Sequence, residues 1–230
     1  MLTLYSYPDL YGLPDNNPFG LKVWAFLKLV GLTFRHEHIF DASKAPRGQL
    51  PYIVDDGETV GDSDAIIVHL ISKYGLPIDA GLTQAQQDTS LKIRRVLDDL
   101  YWVMSYSRWK DPEFAPLFRA EMLKTHARLS EADMVRAAEY NSTRYWYQGI
   151  GRYEPAQVYE RGLADLAVIG RLLTPGPFVF GNRAHSVDAA LYGFLANIWF
   201  HEARTPLKQF MLDQRRLATF CETMREHTSE

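Results

Sequence analysis

Cysteine is almost absent: the 230-residue chain has one, Cys221, so an internal disulfide and a thiolate metal cluster are excluded and a reducing compartment fits. An excess of charge of one sign is missing too. Lys and Arg number 25 against 28 Asp and Glu, a formal net charge of −3, so there is no broad cationic field to hold nucleic acid. Long apolar runs are lacking as well. The richest window, Ala189 to Phe200, is shorter than the about 20 residues a bilayer span requires. The opening Met1-Leu2-Thr3-Leu4-Tyr5-Ser6 has neither the basic region nor the apolar core of a secretory leader. No repeat, low-complexity segment or Gly-rich phosphate loop occurs. What is present, 47% hydrophobic and 23% charged residues, is the composition of a globular protein with room for one large domain or two small ones. A cytoplasmic setting is expected.

The first 75 residues alternate strand and helix signals. Leu2 to Tyr7 reads as a strand stopped by Pro8. Asn17-Pro18 starts a helix, Asn as N-cap and Pro at the first helical position, and Phe19, Val23, Phe26 and Val30 form one apolar stripe closed by Gly31. Thr33 to Ile39 reads as a second strand. Pro51 to Val54 and Glu58 to Val60 flank Asp55-Asp56-Gly57, a hairpin signal. Asp62 or Ser63 caps a helix ended by Gly75. The remainder reads as helix. Thr83 to Gln86 is a capping box, Asp111-Pro112 opens a helix bent near Pro116, Ala156 to Leu173 is amphipathic, and further helices begin near Ser186 and Pro206.

Two stretches narrow this pattern. They are Lys44-Ala45-Pro46-Arg47-Gly48-Gln49-Leu50-Pro51-Tyr52-Ile53 and Gly57-Glu58-Thr59-Val60-Gly61-Asp62-Ser63-Asp64-Ala65-Ile66. With Asn17-Pro18-Phe19-Gly20-Leu21-Lys22-Val23, they resemble the thioredoxin-like domain of the glutathione transferase superfamily. Gly149 to Glu160, Asp165-Leu166, Phe178 to Gly181 and Ser186-Val187-Asp188-Ala189 resemble its branch of failed-axon-connections and metaxin-like proteins. The resemblance implies an α/β domain with a mixed sheet over residues 1–75, a linker over 76–82 and an all-helical domain over 83–230. It implies glutathione as substrate, no metal, and conjugative detoxification of a small apolar electrophile. A homodimer is possible on the same ground.

By resemblance, a cis Pro51 would free the main chain of Leu50 for the cysteinyl unit of glutathione. Asp62 would meet the γ-glutamyl ammonium, while Ser63 and the free N–H groups of its helix would meet the γ-glutamyl carboxylate. The same two residues could simply cap that helix. Lys44 and Gln49 are placed for the glycyl carboxylate. A thiol with a pKa near 8.5 must ionise to attack, which takes about 1.4 kcal/mol of preferential stabilisation per unit. Many relatives use Ser where Asn17 stands, and others use Tyr at the end of the first strand. Asn17, Tyr7 and Tyr11 are therefore the candidates to hold the thiolate. Gly20 occupies the place where some redox members carry Cys.

Tyr101, Trp102, Tyr106 and Trp109 are the expected aromatic lining for an electrophile, although aromatics at helical spacing also build cores. Asp188 is expected to bond backbone N–H groups near a helix start, with Ser186 as its cap. Competing motifs fail. Gly61-Asp62-Ser63 resembles the opening of a lipase motif, but the chain has no Asp-x-x-His. His36-Glu37-His38 lacks a nearby third metal ligand. The rival reading is a non-catalytic ligand carrier or protein-interaction module, as the metaxin-like branch implies. The closing Met224 to Glu230 carries no apolar membrane anchor, which favours the enzyme or carrier.

Overall fold

The computed structural model describes residues 1–229. Four strands, β1 (Leu2–Ser6), β2 (Arg35–His38), β3 (Tyr52–Asp55) and β4 (Glu58–Gly61), form one mixed sheet in the order β2-β1-β3-β4. β1 runs parallel to β2, with Leu4 opposite His36, and antiparallel to β3, with Leu4 opposite Ile53. β3 and β4 make the expected hairpin, with Asp56 and Gly57 both at positive φ in its turn. The parallel β1–β2 pair needs a crossover, which α1 (Pro18–Leu29) supplies. Asp41 to Gln49 is too short for a further helix and winds into two 3-10 turns, Ala42–Lys44 and Pro46–Gly48. α2 (Ser63–Tyr74) then covers the sheet and ends on left-handed Gly75. This is the thioredoxin-like arrangement.

Seven helices follow: α3 (Gln84–Trp109), α4 (Ala115–Thr125), α5 (Glu131–Gln148), α6 (Pro155–Leu172), α7 (Ser186–Trp199), α8 (Pro206–Asp213) and α9 (Arg215–Ser229). The Thr83–Gln86 capping box is made. α7 is buried along nearly its whole length and packs on α1 at the closest approach of the two halves. A Cβ on Gly193 would strike the carbonyl of Pro18 and lie 2.8 Å from Lys22 N, so only glycine permits this contact. Asp188 is fully buried, and its carboxylate accepts from Val179 N at 2.7 Å and His185 N at 2.8 Å.

Several expectations are corrected. The helix after Asp111 starts at Ala115, with Pro116 in its first turn instead of bending it. Asp111 instead caps the preceding turn, accepting from Glu113 N and Phe114 N, and its other oxygen accepts from Tyr159. α5 and α9 are separate helices beyond those expected; α5 announces itself by the reciprocal Ser130–Asp133 capping box. His185, not Ser186, holds the N-cap position of α7, because Ser186 turns its hydroxyl to Asp79 at 2.6 Å. The second strand is shorter than Thr33 to Ile39. Among the described residues no helix is long and apolar enough to cross a membrane.

Candidate functional site

A cavity of about 660 Å³ opens where the end of β1 and the start of α1 face α3, α4 and α5. Tyr7 and Asn17 line it from the sheet side, Tyr101, Ser105, Arg108 and Trp109 from α3, and Tyr140 and Arg144 from α5. Tyr101, Ser105 and Arg108 recur at spacings of four and three, one face of a helix. The adjoining wall of Phe118, Met122, Leu129 and Met134 is apolar.

Asn17 caps α1: its Oδ1 accepts from Phe19 N at 3.0 Å. That bond fixes the amide, so both Nδ2–H donors remain without a hydrogen-bond acceptor among the described residues. Capping and donation to a cavity ligand thus use different atoms. Asn17 N donates to Asp15 Oδ1 at 2.6 Å. Asp15 is fully buried and its Oδ2 has no partner among the described residues. Burial pushes its carboxyl well above the usual carboxylate range, favouring the neutral form beside a helix terminus whose positive end a carboxylate would offset. A Cβ on Gly20 would collide with this carboxyl, which gives Gly20 a steric reason at this position.

Tyr7 lies at the cavity with its phenol pushed up to about 12, first by burial and then by Tyr101; at neutral pH it keeps its proton and can donate it in a hydrogen bond. Tyr11 goes elsewhere. Its backbone is left-handed (φ 55°) and its ring packs on His201 at 4.6 Å, outside the cavity lining.

The residues expected to hold the tripeptide are not part of the cavity lining, which on that side reaches Gly48. Leu50–Pro51 is cis, just ahead of β3. Asp62 caps α2, its Oδ1 accepting from Asp64 N at 3.0 Å and Ala65 N at 3.1 Å, while Arg47 Nη1 stands 3.7 Å from its Oδ2. Ser63 is buried and its Oγ accepts from Lys22 Nζ at 3.1 Å. Lys22 is also buried and pairs with Asp64 at 2.6 Å; burial lowers the pKa of its ammonium against that carboxylate. With the ammonium donating to Oγ, the Ser63 hydroxyl keeps its own proton for an acceptor. Lys44 and Gln49 are exposed.

Of the four expected pocket aromatics, Tyr101 and Trp109 line the cavity and Trp102 and Tyr106 do not. The latter two are rotated onto the neighbouring face and pack edgewise or tilted on buried Tyr145, at 6.4 and 6.2 Å. The sequence reading missed Asp15, Lys22, Arg108 and Arg144. Arg108 is buried; it donates to Asn16 O and, through Nη2, to Asn197 O at 2.7 Å and Asn197 Oδ1 at 2.9 Å, tying the loop before α1 to α7. Its four- and seven-residue spacing from Met104 and Tyr101 was the available signal.

A thioredoxin-like sheet joined to a helical bundle, with a cavity at the amino end of α1, defines a class. The family model of the glutathione S-transferase N-terminal domain matches residues 18–114, and that of the C-terminal domain matches 162–224. The isoprene-epoxide–glutathione S-transferase of Rhodococcus sp. (strain AD45) is 33% identical over 218 residues, covering 86% of this chain and 87% of the relative. Failed axon connections of Drosophila melanogaster is 29% identical over 228 residues, covering 93% of this chain and 54% of the relative. A glutathione S-transferase of Ceriporiopsis subvermispora, solved in complex with glutathione, superposes with a TM-score of 0.65 at 16% identity, covering 98% and 97% of the two chains. The chain belongs to the glutathione S-transferase family.

Proposed function

We propose that this protein binds reduced glutathione and transfers its thiolate to a small apolar electrophile, with an epoxide the favoured class. The observation that carries the reading is the meeting, in one cavity, of the α1 amino end with its unused Asn17 Nδ2–H donors and the aromatic face of α3. Leu50, Pro51, Asp62 and Ser63 would hold the tripeptide, with Lys44, Gln49 and Arg47 near its carboxylates. Residues 1–75 would form the glutathione domain, 76–82 the linker and 83–230 the helical domain. Asn17 Nδ2 and the Tyr7 hydroxyl would donate to the sulfur. Lowering a thiol from near 8.5 to neutral takes about 2 kcal/mol, within reach of two hydrogen bonds to an anion and a helix terminus. The 33% relative, named for an isoprene epoxide, supports the electrophile class. The likeness to Failed axon connections favours a second reading, a non-catalytic glutathione-fold carrier or interaction module.

Calorimetric titration with reduced glutathione tests the first reading. Because a millimolar Kd is only about −4 kcal/mol, the titration must reach about 10 mM. Saturation followed by turnover of an electrophile is expected. A flat titration would abandon the enzyme in favour of the second reading.

A further inference from the structure

Three arginines, Arg108, Arg136 and Arg144, line the cavity against two aspartates, Asp41 and Asp133, although the chain as a whole has a formal charge of −3. Most of these charges are engaged. Arg136 pairs with Asp133, which also completes the cap of α5. Asp41 accepts from Ser43 N at 2.9 Å and from Ser43 Oγ at 2.8 Å. Arg108 donates to Asn16 O and to Asn197. Arg144 is left: among the described residues no carboxylate lies within ion-pair distance of it.

Aromatic rings hold Arg144 in its place. Its guanidinium stands 5.1 Å from the Trp102 centroid, 5.6 Å from Tyr140 and 5.8 Å from Tyr101. Such rings attract a cation through their quadrupoles but carry no charge to neutralise it. Trp102, absent from the cavity lining, thus fixes an arginine that belongs to it. Partly buried cations are normally paired. Nη1 donates to Asn141 Oδ1 at 3.0 Å and to the Tyr101 hydroxyl at 3.3 Å, while Nε and Nη2 donate to nothing among the described residues. Those two nitrogens share one edge of the guanidinium, the edge that meets a carboxylate with two parallel hydrogen bonds. The adjoining wall of Phe118, Met122, Leu129 and Met134 is apolar and suits hydrocarbon.

Resting on the glutathione-transferase reading, we propose that the electrophile carries a carboxylate at the end of its apolar body and that the free edge of Arg144 binds it. One unpaired cation matches one negative charge, and the flat guanidinium fork matches the flat carboxylate. This charge is the same before, during and after the attack of the thiolate. Arg144 therefore acts on binding and orientation, and its mark falls on KM more than on kcat.

The test compares epoxyhexanoate, a terminal epoxide with a carboxylate at its other end, with its methyl ester, each with glutathione. The parent's kcat/KM should favour the acid by about 10–10²-fold, the worth of hydrogen bonds to a charged group, with most of the difference in KM. Arg144→Gln should bring the ratio near one, and Arg144→Lys, which keeps the charge without the fork, should recover part of it. Hexanoate, which cannot react, should bind the glutathione-loaded parent saturably in a calorimetric titration and should not bind Arg144→Gln. Glutathione has carboxylates of its own, so its Kd is measured for each variant and should stay near the parent's. A glutathione Kd weakened tenfold in Arg144→Gln, with the acid-to-ester ratio unmoved, would assign the edge to glutathione and overturn the proposal. Equal turnover of acid and ester by the parent would overturn it as well and leave the transferase reading intact. A parent protein that does not bind glutathione would overturn both.

Discussion

At Asn17 one side chain caps a helix with its oxygen and leaves its nitrogen free for the proposed chemistry, so substitutions can separate the two. Asn17→Asp keeps a good N-cap but replaces the Nδ2 donor with a charge opposed to the thiolate. We expect an unfolding midpoint near the parent's and a raised thiol pKa for bound glutathione, read from thiolate absorbance against pH. Asn17→Ala should lose the cap as well, at about 1 kcal/mol, measured by urea unfolding. Ser63 is the other separable position. Its hydroxyl accepts from Lys22, and Ser63→Ala should weaken glutathione binding by about tenfold, the worth of one hydrogen bond to a charged group. An unchanged Kd in the titration would remove Ser63 from the site.

At the level of elements, the α1–α7 contact positions the cavity because it fixes the turn bearing Asn17 against the helical half. Gly193→Ala should destabilise the protein by about 1–3 kcal/mol, the usual effect of overpacking a tight site, since the new methyl group meets backbone of α1 and not a yielding side chain. Guanidinium unfolding checks it, and a small effect would show that α7 can slide. Much of this level is legible in the chain: Asn17-Pro18, Asp55-Asp56-Gly57, Thr83 with Gln86, and Gly75 each announce a boundary by local hydrogen bonding or by φ. Pro116 misled because proline is tolerated in a first turn yet breaks an interior one, and only the position of Ala115 decides which applies. The exclusion of Trp102 and Tyr106 from the cavity follows the same logic, since all four aromatics share a helix but only one face of it meets the cavity.

Across the whole molecule, buried ionisable groups make stability depend on pH. Burial pulls His201 down to about 3, with Arg108 and Lys208 adding to it, and pulls His36 to about 4. Their folded values lie below the unfolded value of about 6.5, so their contribution is present above pH 6.5 and is lost as pH falls from there. Asp188 has the opposite sign: burial raises it to about 6, so its contribution is present below about pH 4 and lost as pH rises through 6. His201→Asn should therefore lose less stability than the parent between pH 6.5 and 5, by up to about 1.4 kcal/mol per pH unit. Thermal unfolding of both proteins across that window measures the difference. Identical slopes would mean that His201 is no longer buried when it titrates. Glutathione should also raise the midpoint, by about 1.4 kcal/mol of stability at ten times its Kd.

Composition, capping residues and glycine placement determined by themselves that this is a globular chain with a mixed strand–helix start and a helical remainder. The motifs around Asn17, Leu50-Pro51 and Asp62-Ser63 pointed to the family. These signals are local, carried by backbone preferences and hydrogen bonds within a few residues. The tertiary structure alone decided which side chains share the cavity. Arg144 lies 43 positions from the Tyr101 hydroxyl it touches, and Lys22 lies 41 from Ser63; Asn197 reaches the backbone oxygen of Asp15 across 182 positions. Burial, and partners such as these that come from far along the chain, depend on how distant elements pack, and no short window of sequence carries that information.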